Sequence, residues 1–178
     1  MARPLRIGVQ SLAVLAVAGL LALLVWRVTS KHGRPTSGPA PGFKLPRLDR
    51  SGELSLAALR GKGVVINFWA SWCIPCKAEA KALEQAWNKY RSKGLVVLGV
   101  NEEDFKKDAR SFARKHGMTY PIVHDGPGKL KVTYGLTGYP ETFFVDREGK
   151  LVSKSVIGPV NHGDGVAQFA EGIELALR

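Results

Sequence analysis

The stretch NFWASWCIPC, Asn67 to Cys76, decides the fold. An apolar, β-rich run stops at a tight turn, and the chain's two cysteines, three positions apart, close the segment. Read backwards, GVVINFWA starts at Gly63 and is long enough for a strand buried on both faces. Read forwards, Cys76, Ala80, Leu83, Trp87 and Tyr90 recur at three- and four-residue steps up to Gly94, the period of a helix with one apolar side. Strand, turn and helix follow in that order, with the cysteines at the helix's first turn.

That placement carries chemistry. The first turn of a helix presents unpaired N–H groups and partial positive charge, which favour a thiolate and lower a cysteine pKa from about 8.5 into the range of roughly 3.5–7.5. Cys73 is therefore the expected nucleophile. Cys76, one turn further along the same side and less exposed, is expected to resolve the mixed disulfide that Cys73 forms with a partner. Pro75 fits the opening turn, where its missing N–H is not needed, and Ile74 and Pro75 lie between the sulfurs as redox-tuning residues. A bond across so short a loop removes little unfolded-chain entropy, so a purely structural disulfide is the weaker reading. Zinc needs a second pair of ligands. His32, His116, His124 and His162 have no short paired spacing, and Met1 and Met118 are the only thioethers, so no metal ligand is assigned and no cofactor is expected.

Around this core the pattern continues. FKLPRLDRSGELSL alternates about a turn-forming Asp49 to Gly52 and predicts a leading hairpin. LVVLGVN predicts a second buried strand, and FKKDARSFARKHG a second helix with Phe105, Ala109, Phe112 and Ala113 on one face. YPIVH predicts a third strand, TFFVDREGKLVSKSVIG two antiparallel strands joined at Asp146 to Gly149, and the C-terminus a helix with Val166, Phe169, Ala170, Ile173 and Leu177 as its stripe. This is a mixed-sheet α/β sandwich.

The N-terminus differs in kind. Ile7 to Trp26 holds twenty residues without a charge, enough for a helix to span a bilayer; the competing reading is a cleaved signal peptide with Ala16 to Ala18 as its small-residue processing site. Thr29 to Gly42 is small, polar or Pro/Gly-rich, the composition of a tether. The expected organisation is a cytoplasmic tail over 1–6, a transmembrane signal-anchor over 7–26, a flexible linker over 27–42 and a globular domain over 43–178. The net charge of +11 comes from scattered Lys and Arg, a solvated surface with no nucleic-acid motif behind it.

NFWASWCIPCK followed by GYPETFFVDREGKL resembles the membrane-anchored thioredoxin-like reductases of the TlpA/ResA group, especially its CcmG (DsbE) members of cytochrome c maturation, from about Phe43 to the C-terminus. The resemblance implies a thioredoxin fold with an N-terminal β-hairpin and a central α/β insertion, NEEDFKKDARSFARKHGMTYPIVHDG. It implies a cis Tyr139–Pro140 bond facing the cysteines, with Tyr139 as an edge on which an extended substrate can hydrogen-bond. Glu141 would handle the proton on Cys76 or recognise the partner, and Trp72 would join the contact surface while Trp69 packs in the core. Thioredoxin carries a buried acid six residues before its first cysteine. Here that position is Asn67, which cannot shuttle a proton.

The implied activity is reduction of disulfides in apocytochrome c or its haem-ligation partner, on the periplasmic side of a bacterial inner membrane. The head would be recharged by a membrane thiol carrier of the DsbD or CcdA kind. Two alternatives stand beside it: reduction or copper delivery for the copper site of cytochrome oxidase, and a non-catalytic thioredoxin-fold binding module. Peroxidase chemistry is disfavoured by Ala70, which stands where a peroxiredoxin has threonine three residues before its cysteine.

Overall fold

A computed structural model describes residues 14–26 and 34–178. Helix α1 runs through residues 14–26, and residues 34–178 form a separate compact unit. Among the described residues no helix is long and apolar enough to cross a membrane. The expected span over 7–26 is described only from residue 14, and the tail 1–6 and the linker segment 27–33 lie outside the described residues.

In the compact unit, β1 (Gly38–Pro39), β2 (Lys44–Pro46) and β3 (Glu53–Ser55) precede β4 (Gly63–Trp69). Then come α2 (Ile74–Tyr90), β5 (Leu95–Glu102), α3 (Lys106–Lys115), β6 (Ile122–Asp125), α4 (Lys129–Thr133), β7 (Glu141–Val145), β8 (Lys150–Leu151), β9 (Val156–Ile157) and α5 (Gly165–Leu177). The main sheet has the order β1-β8-β7-β4-β5-β6, with β9 also on β7, and β2 and β3 make a separate hairpin. β4, β5 and β6 run parallel; β7 runs antiparallel to β4. β4 and β5 are buried along their whole length, as parallel strands covered on both faces must be.

The pleat divides the core in two. On one side Val65, Trp69, Val97 and Phe144 pack with Cys76 and Leu83 of α2, Ala109 of α3, and Ile173 and Ala176 of α5. On the other, Val64, Ile66, Phe68, Phe143 and Val145 pack with Leu56, Leu59, Leu130 and Tyr134.

Three expectations shift. Residues 34–42, which composition assigns to the tether, are part of the head: β1 pairs with β8 and the Ala40 N–H donates to the Gly149 carbonyl at 3.0 Å. Backbone pairing, which composition does not register, orders this Pro/Gly-rich stretch. α4 lies between the strands expected at YPIVH and TFFV, where no element is predicted, its five residues too short for a periodic signal. The helix stripes rotate as well. α5 buries Gly172, Ile173 and Ala176 while Val166 is exposed, and Phe105 precedes α3 as its exposed N-cap.

Gly172 is where α5 comes closest to β7: a Cβ there would lie 2.5 Å from three carbons of the Phe144 ring. Gly172→Ala is expected to cost a net 1–2 kcal/mol, roughly, because the overpacking exceeds the helix preference of Ala over Gly. That lowers Tm by about 2–8 °C in a chain of this size; a raised Tm in a thermal melt would contradict the tight contact.

Candidate active site

The turn after β4 delivers the cysteines as the sequence requires. Cys73 is the N-cap of α2, with extended backbone, and its Sγ accepts a hydrogen bond from the Cys76 N–H at 3.1 Å. Ile74 and Pro75 occupy the first two helical positions and are exposed. Cys73 and Cys76 form a disulfide with Cα atoms 5.3 Å apart. Exposure does not separate the sulfurs as expected: in this oxidised state Cys73 is 4% exposed and Cys76 3%. What distinguishes Cys73 is its position at the open end of the helix.

The Tyr139–Pro140 bond is cis, as the resemblance implied. Tyr139 packs against the buried cluster that holds both cysteines. Its ring meets Trp72 edge-on, with centroids 5.7 Å apart, so the turn before Cys73 and the cis-proline loop touch. Trp72 is 60% exposed and donates its indole N–H to the Glu103 carbonyl at 3.1 Å. Trp69 lies in the core, stacked on Phe112 of α3.

Glu103 sits at φ 49°, a left-handed conformation that costs a non-glycine residue energy. Its carboxylate is held by Lys131 at 2.8 Å and by the Tyr139 hydroxyl at 3.2 Å. The same hydroxyl donates to buried Glu102 at 2.9 Å. Burial, with Asp125 and Glu103 close by, pushes the Glu102 carboxyl up to about 8, against the pull of that hydrogen bond. Asp104 binds the insertion to the active-site turn, accepting from the Ser71 N–H at 2.6 Å, the Ser71 hydroxyl at 2.9 Å and Asn101 at 2.8 Å.

The proton-handling group is placed differently from expectation. Glu141 faces the side of the sheet opposite the cysteines: it alternates with Thr142 along β7 and shares its face with Phe143 and Val145, in the cluster under α4. There its carboxylate meets Arg34, 3.1 Å away, and burial pushes its pKa up in spite of that pairing. Thr142 faces the helix side and joins a network the sequence reading missed. The buried Asn67 amide donates to Thr142 Oγ1 at 3.0 Å and to Glu79 at 2.7 Å, and the Val160 N–H donates to the second Glu79 oxygen at 2.9 Å.

Glu79 is fully buried, one helical turn beyond Cys76 on the inner face of α2. Burial pushes its carboxyl up to about 7, although both hydrogen bonds favour the charged form. The chain therefore has a buried acid poised near neutrality after all, reached from the helix through Asn67 instead of standing at Asn67's own position. The signal was present in the sequence: a glutamate interrupts the apolar stripe between Cys76 and Ala80.

A redox dithiol at a helix N-terminus, a cis-proline loop beside it and a mixed sheet covered by helices define a thioredoxin-fold protein. The chain belongs to the AhpC/TSA family, whose sequence profile matches residues 36–154, and it is an oxidoreductase of thiols and disulfides. Among curated relatives it is 35% identical over 146 residues to the thiol-disulfide oxidoreductase ResA of Geobacillus thermodenitrificans, covering 82% of each chain. With ResA of Geobacillus kaustophilus it shares 32% over the same span. Among solved structures, a Chlorobium tepidum protein assigned as thiol:disulfide interchange protein DsbE superposes with a TM-score of 0.74 at 31% identity, covering 82% of this chain and 100% of that one.

Glu79 makes stability depend on pH with a defined sign. Its folded pKa lies above the unfolded value of 4.5, so between about 4.5 and 7 the folded state binds more protons than the unfolded one. The contribution is fully present below 4.5 and is lost as pH rises through 7. Relative to Glu79→Gln, the oxidised wild type is expected to lose roughly 3 kcal/mol across that window, an upper figure taken from the size of the shift. Urea unfolding of both proteins at pH 4.5 and 8 checks it; a constant difference between them would rule out the titration.

Proposed function

We propose that the chain is a membrane-tethered reductase acting outside the cytoplasm on disulfides of a narrow set of protein partners, apocytochrome c foremost. The observation that carries the reading is the Cys73–Cys76 pair at the open end of α2, with the Trp72 and Tyr139 rings in contact beside it. In the reduced protein the Cys73 thiolate attacks one sulfur of the partner's disulfide, forming a Cys73–partner bond and releasing the partner's other sulfur as thiolate. Cys76 gives its proton to Glu79 and attacks Cys73 Sγ. The mixed bond breaks, the second partner thiolate leaves, and the Cys73–Cys76 disulfide forms. Two electrons have passed to the partner. A reduced membrane thiol carrier of the DsbD or CcdA kind then supplies a new electron pair to the Cys73–Cys76 disulfide by the same exchange in reverse, its own dithiol becoming the disulfide.

Exposed Trp72 and Ile74 supply an apolar rim for the partner, and the backbone at Tyr139 offers it an extended edge. In this reading the uncharged run Ile7 to Trp26 crosses a bacterial inner membrane, with residues 1–6 inside and the head in the periplasm. Similarity to proteins named ResA and DsbE supports the choice of substrate.

Cys76→Ala should stall the reaction at the mixed disulfide. Mass spectrometry of the trapped adduct is expected to recover an apocytochrome c or its haem-ligation partner bound through Cys73. Recovery of copper-site proteins alone would overturn the substrate assignment, and an adduct that survives Cys73→Ser would overturn the mechanism.

A further inference from the structure

The stretch that enters the head lies along the chain that leads to the cis-proline. Arg34 is the first residue of the compact unit. Its guanidinium is only 22% exposed, and it reaches the wholly buried Glu141 carboxylate at 3.1 and 3.2 Å. The same fork donates to Ser155 Oγ at 3.1 Å, Thr137 Oγ1 at 3.4 Å and the Gly135 carbonyl at 3.5 Å. Glu141 in turn accepts from the Thr137 N–H at 3.4 Å.

The fit is steric as well. Gly135 has φ +62°, and a Cβ on it would lie 2.9 Å from Arg34 Cα, so the backbone of the entering segment rests on a glycine. A few residues on, the Pro41 carbonyl accepts from the Tyr134 hydroxyl at 2.7 Å. The segment therefore touches the chain at Tyr134, Gly135, Thr137 and Glu141, all within the approach to Tyr139–Pro140 or just past it. A planar guanidinium with several donors suits such a multi-point clamp, whereas a lysine ammonium supplies one point charge.

We propose that Arg34 is a positioning residue for the partner-binding edge, its guanidinium clamping Gly135 to Glu141 so that the shape of the Tyr139–Pro140 loop depends on the packing of Arg34 against it. The proposal rests on the reductase reading. It assigns Glu141 to this clamp, on the far face of the sheet from the cysteines, and makes the stretch from Arg34 to Pro41 a structural input to recognition. A partner protein, which must lie along the loop, depends on Arg34; a small disulfide that needs only Cys73 does not.

The test compares full-length wild type, Arg34→Ala, Arg34→Lys and the double variant Arg34→Ala/Glu141→Gln, which removes the buried charge that Arg34→Ala alone leaves unpaired. Two substrates are used: an oxidised synthetic peptide bearing Cys-x-x-Cys-His, and 2-hydroxyethyl disulfide. Arg34→Ala and the double variant are expected to raise KM for the peptide about tenfold with kcat within about twofold, while the rate with 2-hydroxyethyl disulfide stays within about twofold. Arg34→Lys should recover part of the peptide KM. Equal losses on both substrates, or a wild-type peptide KM in the double variant, would overturn the proposal. Hydrogen exchange gives a readout free of activity: the Thr137 amide is expected to exchange at least tenfold faster without the guanidinium, and unchanged exchange there would also overturn it. If the wild type reduces neither disulfide, the reductase reading falls, and the exchange measurement still decides whether the clamp exists.

Discussion

One buried amide holds the active site together. Asn67 sits at the centre of β4 with a strand on either side, and its two N–H groups go to Thr142 on β7 and Glu79 on α2. A buried donor without partners costs about 1–3 kcal/mol, so strand, neighbouring strand and helix are each fixed relative to the others by a group that none can release. The helix end that carries Cys73 is thereby registered against the strand whose first residue follows the cis-proline. The second Glu79 oxygen extends the tie to the Val160 N–H, ahead of α5.

This network fixes the position of Glu79 and sets its acidity together. A carboxyl that is fully buried but hydrogen-bonded at both oxygens is pushed toward neutrality by desolvation and held back by its donors. The balance places Glu79 near pH 7, where a group can both take and return a proton. Glu141 is buried and pushed up as well, but the Arg34 guanidinium beside it gives it a fixed structural partner. Two acids that look equivalent in the sequence, each near a redox motif, are separated by the pleat of one strand and by what stands opposite them.

The fold was legible because its signals were long and redundant. β4, β5 and α2 each carry a continuous apolar run or a helical period, and the cysteines mark the junction between strand and helix. The short elements were not. β1 has two residues and no apolar pattern, and its pairing with β8 is a long-range event that no local window contains. At the candidate site the geometry was legible where motif and position coincide: Cys73 and Cys76 are bonded, Tyr139–Pro140 is cis, and the Tyr139 ring meets Trp72. It was misread at Glu141, because adjacency to Pro140 in sequence says nothing of which face of the sheet a side chain takes. It was missed at Glu79 and Asp104, whose importance lies in partners 12 and 33 residues away.

The hairpin of β2 and β3 has a further effect at the far side of the main sheet. Arg47 bridges antiparallel to Val123, and the Leu48 N–H donates to the Ile122 carbonyl at 2.9 Å, so the outer rim of β6 is already occupied. At the opposite rim the terminal strand is the two-residue β1, and its Pro39 has no N–H to offer. Neither β6 nor β1 gives a stray polypeptide a row of free backbone groups to zip onto. Edge-to-edge pairing with other chains or with its own copies is thereby disfavoured at these two strands.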